Sequence, residues 1–215
     1  MTLHLIKSNR PNIILMAFFV SIAVSCVSTN RISQPARMNS YKPNDSLLID
    51  RDGNKYTIKA FSDNSLWMTT NLNLNISGSY CYDKTEENCK RYGRLYTWQA
   101  AQTGCRLLGE GWRLPGENEW QRLAEFYGGR AKDSAEVRKK AYQSLLYTGN
   151  SQFNALLGGG RAPDGQYARS EAHGFYWTAT EHDSSTAWFA NFAKGSQSLY
   201  HQSVVKRREH FPFVV

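Results

Sequence analysis

Apolar residues recur with a helical period twice between Tyr92 and Tyr127, on either side of a Gly-Trp-Arg-Leu-Pro corner. In the first run Trp98, Ala101 and Cys105 fall at i, i+3 and i+7, which places them on one helix face. Thr97 precedes the run, and its hydroxyl can accept an orphan backbone N–H as an N-cap. In the second run Trp120, Leu123, Ala124 and Tyr127 form one stripe. Glu117 and Glu119 occupy its first turn, where the helix dipole favours negative charge. Gly128-Gly129 supplies a left-handed stop. Pro115 disfavours an α conformation at Leu114, so Gly111–Leu114 is predicted to run extended. Trp112 and Leu114 then point to the same side. The pattern predicts helix, extended crossing, helix, with the tryptophans buried between them.

The flanking patterns are mostly those of strands. Leu47–Ile49, Lys55–Phe61 and Leu66–Leu72 read as strands, the second with Tyr56, Ile58 and Ala60 on one side. Asp52-Gly53 is a hairpin-type turn signal and Ser62–Ser65 another turn. Asp133–Leu146 reads as a third helix with Val137, Ala141 and Leu145 on one stripe, and Arg138-Lys139-Lys140 puts its other faces at the surface. From Thr148 onward, short aromatic and β-branched runs alternate with Gly, Asp, Ser and Asn as far as Phe211–Val215. That is the pattern of an antiparallel sheet with long loops. Trp67, Trp98, Trp112, Trp120 and Trp177 are assigned to the core.

The N-terminus changes the picture. Lys7 and Arg10 precede an apolar run from Ile13 to Val24. Twelve residues are too few for a bilayer core, which needs about 20 in a helix. The pattern is that of a signal peptide over residues 1–25. It closes with Ala23-Val24-Ser25-Cys26, which resembles a lipobox with Cys26 as the lipidated residue, and acyl chains then anchor the chain to a membrane. Val27 lacks the Asp side chain that retains lipoproteins at the inner membrane, which favours the outer membrane of a bacterial envelope. Residues 26–45 are polar and aperiodic, with Pro35 and Pro43, and read as a tether. Residues 46–215 are left as one domain by length.

The formal net charge is +8, or +6 (8 minus 2) without Lys7 and Arg10. The basic clusters Arg138-Lys139-Lys140 and Lys206-Arg207-Arg208 are short and far apart, so no nucleic-acid partner is expected. They read as solvated faces, with attraction to anionic glycans or lipopolysaccharide as the alternative. Four cysteines suit an oxidising compartment. Cys81 and Cys89 bracket a short polar loop and can form a disulfide. With Cys26 on lipid, Cys105 is odd.

Several motifs resemble a known family: Tyr92-Gly93-Arg94-Leu95-Tyr96-Thr97-Trp98, Cys105, Gly111-Trp112-Arg113-Leu114-Pro115, Glu119-Trp120, and the Asp52-Gly53-Asn54-x-Tyr56 and Leu66-Trp67-Met68-x-x-Asn71-Leu72 segments. Together they resemble the Fibrobacter succinogenes major paralogous domain, a family of secreted and lipid-anchored bacterial proteins without a settled biochemical role. The likeness extends over nearly all of residues 47–215. It implies an α+β, C-type-lectin-like fold: two core helices packed on twisted antiparallel sheets with long loops. In the family the cysteine before the Gly-Trp corner pairs with one in a Ser-Val-Arg-Cys-Val ending. Phe211–Val215 holds none, as a truncated or frameshifted end would leave it. Otherwise Cys105 is a buried apolar side chain.

Candidate chemistry is sparse. Gly158-Gly159-Gly160-Arg161 lacks the Lys-Ser/Thr of a phosphate loop, and no G-x-S-x-G, H-E-x-x-H or C-x-x-C occurs. His173, His182, His201 and His210 are isolated. Asp83, Glu86 and Glu87 lack the register of a calcium loop. Glu181-His182-Asp183 could seed a cation site, yet neither sugar-lectin calcium motif is intact. No metal and no cofactor are expected. Loops on a rigid scaffold tend to carry binding residues, so Arg161, Tyr167, Arg169, Tyr200 and His201 are the expected ligand surface. The most informative observation is whether the Arg161–Arg169 and His182–Thr186 loops form a concave site. The expected function is that of a non-catalytic cell-envelope lipoprotein recognising a glycan or protein. The alternatives are a structural subunit of a surface assembly and a relative of the formylglycine-generating oxidases, which need a reactive cysteine pair with copper.

Overall fold

The computed structural model of the chain describes residues 21–22, 25–28, 46–61, 65–128 and 134–205. The leader up to residue 20, the tether from residue 29 to 45, Gly129, Lys206-Arg207-Arg208, His210 and Phe211–Val215 lie outside the described residues. The fold is α+β, with antiparallel sheets and four α-helices among the described residues.

In chain order come β1 (Ser21–Ile22), β2 (Val27–Ser28), β3 (Ser46–Ile49), β4 (Lys55–Ala60), β5 (Leu66–Met68) and β6 (Ser79–Tyr80). Then follow α1 (Glu86–Tyr92), β7 (Leu95–Thr97), α2 (Trp98–Arg106), β8 (Trp112–Arg113), α3 (Glu117–Gly128) and α4 (Ala135–Leu145). The chain closes with β9 (Gly158–Arg161), β10 (Tyr167–Ser170), β11 (His173–Glu181), β12 (Thr186–Ala193) and β13 (Ser198–Val205). Three sheets result, ordered β10-β9-β1-β7-β6, β3-β4-β5-β2-β8 and β11-β12-β13.

The helix pair forms where the apolar period and the caps place it. Thr97 Oγ1 accepts the Ala100 N–H at 3.1 Å and starts α2. After Pro115, Glu119 reaches back to the Gly116 N–H at 2.7 Å and holds the Arg113 guanidinium at 2.7 and 2.8 Å. One carboxylate thus caps α3 and fixes the corner before it. Trp120, fully buried, packs against Trp67, Phe153 and Tyr176 at ring separations of 5.3 to 5.6 Å. Indole N–H groups tie the helix pair and β7 to β11: Trp98 donates to Thr178 O at 2.8 Å and Trp177 to Tyr96 O at 3.1 Å. Gly128 is where α3 meets α4, since a Cβ there would lie 2.6 Å from Val137 O.

Several expectations are corrected. Trp112 is half-buried rather than core, because β8 is the edge strand of its sheet, while Leu114 is buried. The Leu66 strand ends at Met68, and the chain then turns so that the Asn71 amide donates to Tyr92 O at 2.7 Å. The Cys81–Cys89 segment is not a plain loop. It holds a 3-10 turn at Tyr82–Lys84 and most of α1, whose first turn carries Glu86 and Glu87 where the dipole favours them. The helix expected at Asp133–Leu146 is α4, and Ala141 and Leu145 of its expected stripe are buried, with Tyr142 beside them.

Cys81 and Cys89 are joined, and so are Cys26 and Cys105 across a separation of 79 residues. Cys105, expected to be odd, therefore has a partner. A sulfur in that bond cannot at the same time carry a thioether-linked lipid, the role expected for Cys26. No helix among the described residues is long and apolar enough to cross a membrane.

Candidate functional site

The expected ligand residues separate into two places, and neither forms the main cleft. Arg161 lies in β9 with its guanidinium over the rings of Tyr80 at 4.2 Å and Tyr167 at 5.7 Å. Tyr82 adds a third ring 5.2 Å from Tyr167. A cation clamped between tyrosines secures the β9–β10 hairpin rather than reaching into a cavity. Arg169 is exposed in the same hairpin, with a left-handed φ of 67°. On the far side, Tyr200 and His201 lie in β13. The Arg138 guanidinium sits 5.5 Å from the Tyr200 ring. His201 Nδ1 lies 2.8 Å from the buried Glu117 Oε1 without hydrogen-bond alignment. His201 lines a small cavity of about 120 Å³ with Gln121, Ala124 and Arg138.

The larger cleft, about 530 Å³, falls within the range of small-molecule sites. Its walls are Thr69–Asn71 after β5, Arg91–Tyr92 at the end of α1, Leu146–Thr148 and Asn154–Leu157 around the loop after α4, and Glu171 between β10 and β11. The loop after α4 is held rigidly. Phe153 is buried against Phe61, Trp67 and Trp120. The Tyr147 N–H donates to Ala155 O at 2.9 Å, and Ala155 N–H to Leu145 O at 2.9 Å. Lys59 Nζ donates to Ser151 O and Gln152 Oε1, both at 2.9 Å. Asn154 and Glu171 take left-handed backbones, with φ of 63° and 61°. Asn tolerates that region, whereas Glu enters it only when its surroundings hold it there.

At the mouth, Glu171 Oε1 accepts from Arg91 Nη2 at 2.7 Å and from the Tyr92 hydroxyl. Burial, then the Glu171 carboxylate, raise the Tyr92 hydroxyl above its ordinary value, so it is a donor at neutral pH. Beside this polar edge stands Tyr147, 66 % exposed, an apolar ring face in water. The surface therefore combines hydroxyls of Thr70 and Thr148, the Asn154 amide, an ion pair and one free aromatic face. Glu171 is the one carboxylate among the described residues that line the cleft, whereas glycoside hydrolysis uses a pair. The lining offers hydrogen-bond donors and acceptors beside an aromatic face.

No cation site appears at Glu181-His182-Asp183. Asp183 Oδ1 instead closes its own turn by accepting from Ser185 N, Ser185 Oγ and Thr186 N at 2.7 to 2.8 Å. Among the described residues, Cys81, Glu86 and Cys89 group closely enough for a metal, but both sulfurs are in a disulfide. The cleft was missed because five separate segments build it. Tyr147 in its polar surroundings was the one local signal.

Residues 51–212 match the family model of the Fibrobacter succinogenes major domain. No curated protein and no solved structure matches the chain.

Proposed function

The chain belongs to the Fibrobacter succinogenes major domain family, and from that premise we propose that it is a non-catalytic binding protein of the bacterial cell envelope. Its fold is C-type-lectin-like, and its ligand is a glycan held in the cleft between α1, the loop after α4 and Glu171. The observation that carries this reading is the exposed Tyr147 ring, on a loop pinned by Phe153, set beside hydroxyl, amide and charged groups that line the same cleft. A sugar ring presents one apolar face to an aromatic side chain and hydroxyls to polar neighbours, so these groups are complementary to it.

The envelope location and the lipid anchor rest on the apolar leader that ends at Cys26. They concern the processed form, in which Cys26 is not bonded to Cys105. The test is a panel of bacterial and host glycans offered to the full-length protein, beside the Tyr147→Ala variant. Binding by the parent, lost in the variant, supports the reading. Binding that survives Tyr147→Ala moves the site elsewhere, and no binding to any glycan ends the glycan reading.

A further inference from the structure

Part of the cleft wall is aliphatic: Leu146, Ala155, Leu156 and Leu157 all line it. The backbone there is largely committed within the protein. Ala155 N–H donates to Leu145 O and Ala155 O accepts from Tyr147 N–H, both at 2.9 Å. Leu157 O accepts from the Glu171 N–H at 2.7 Å. The Leu156 N–H donates to the Tyr176 hydroxyl at 2.8 Å, and that hydroxyl donates to Leu156 O at 3.3 Å. This wall therefore offers a ligand mainly hydrocarbon. A plain sugar has little apolar surface beyond the ring face that Tyr147 can take. The aliphatic wall is complementary to an apolar substituent on that ring.

The charges at the mouth are already paired, since Arg91 and the Tyr92 hydroxyl both donate to Glu171. Neither sign is in excess, which suits a neutral ligand better than a sugar acid or a free amino sugar. Several polar groups of the lining are committed as well. The Asn71 amide donates to Tyr92 O at 2.7 Å, and the Thr70 hydroxyl meets Thr57 Oγ1 at 2.8 Å. The Asn154 carboxamide differs, because it makes no side-chain hydrogen bond among the described residues. It is half-buried, stands between buried Phe153 and buried Ala155, and is fixed in a left-handed backbone at φ 63°. A carboxamide carries a donor and an acceptor side by side, which is the complement of another amide.

We propose that the cleft selects an N-acetylated amino sugar. The Asn154 carboxamide pairs with the acetamido group, the acetyl methyl lies on the wall of Leu146, Leu156 and Leu157, and the sugar ring covers Tyr147. This rests on the glycan reading and narrows it to chains that carry N-acetylhexosamine. Both chitin and peptidoglycan contain that unit.

The full-length protein is titrated with short β-linked oligomers of N-acetylglucosamine, of glucosamine and of glucose, and with the disaccharide–peptide unit of peptidoglycan. At least one N-acetylated probe is expected to bind roughly tenfold more tightly than the glucose and glucosamine oligomers, from one buried methyl and the amide hydrogen bonds. Which of the two N-acetylated probes binds names the source. Asn154→Asp and Asn154→Gly both accept the left-handed backbone, and the variant whose Tm matches the parent is titrated in the same way. It is expected to lose the preference for the acetylated probe. Glucose or glucosamine oligomers that bind as tightly as the acetylated ones overturn the proposal and leave the glycan reading standing. So does a preference that survives in the Asn154 variant, or a protein that binds other glycans and neither N-acetylated probe. A protein that binds no glycan at all removes both.

Discussion

Trp67 and Trp120 meet edge to face with ring centroids 5.3 Å apart and planes at 78°. The contact joins β5 to α3, two elements that start fifty-one residues apart (117 minus 66). Phe153 packs on both rings, so the loop that bears the cleft rests on the same cluster. Trp120→Ala removes the centre of that cluster and should cost about 3–5 kcal/mol, the usual range for a buried large aromatic. The Trp120 indole N–H finds no hydrogen-bond partner among the described residues. Trp120→Phe therefore gives up volume but no polar contact, and should cost less than half as much. Denaturant midpoints of the two variants measure both, and equal losses would mean that the indole makes a contact of its own.

The helix pair was legible because its information is local. Thr97, the period of α2 and α3, and Glu119 act within a few residues of one another. Trp112 was misjudged because its exposure follows from sheet order, and β8 is an edge only because β2 is its inner neighbour. α1, with seven residues, is too short for a period to declare itself. Arg161 reads as a loop residue until β9 pairs with β10 and places it over Tyr80 and Tyr167. The cleft had no linear signature, since Thr69, Tyr92, Tyr147 and Glu171 come together only in three dimensions.

Acid should weaken the fold through two carboxylates. Burial alone would raise Asp50. The Tyr56 hydroxyl at 2.6 Å, the Asn54 amide and the Asn54 and Asp52 backbone N–H groups outweigh it and hold the group below its ordinary value. For Glu119, burial is likewise outweighed by Arg113 and the Gly116 N–H. Depressed folded-state values mean that the unfolded chain binds more protons in acid. The contribution is complete above about pH 4, the ordinary carboxylate value, and is lost as pH falls through the folded value. Denaturation midpoints from pH 6 to pH 2.5 should fall below pH 4. Asp50→Asn and Glu119→Gln should each flatten the fall, and an unchanged slope in both would assign it to other groups.

The two disulfides close loops of very different size, with separations of 8 and 79 residues. In the chain-entropy model these correspond to about 2.5 and about 4.5 kcal/mol. In the oxidised chain that retains residues 21–28, Cys105→Ala should therefore lower stability more than Cys89→Ala. The order is read from thermal melts with and without reductant. The reverse order would mean that the long bond strains the native state.

Tyr147 and Gly174 separate ligand contact from scaffold. Tyr147 is exposed, and Tyr147→Ala should leave stability within about 0.5 kcal/mol. An aromatic contact of hot-spot rank is worth more than about 1 kcal/mol, so glycan affinity should drop roughly tenfold. Gly174 stands behind the cleft wall, and a Cβ there would lie 2.1 Å from Leu156 O. Backbone must move to admit it, and the Leu156 N–H is already fixed by the Tyr176 hydroxyl at 2.8 Å. Gly174→Ala should therefore cost about 1–3 kcal/mol of stability and weaken ligand binding at the same time. Calorimetric melting and glycan titration on both variants check the contrast. A Tyr147→Ala protein that unfolds early, or a Gly174→Ala protein that loses neither quantity, would remove the cleft wall from the binding surface.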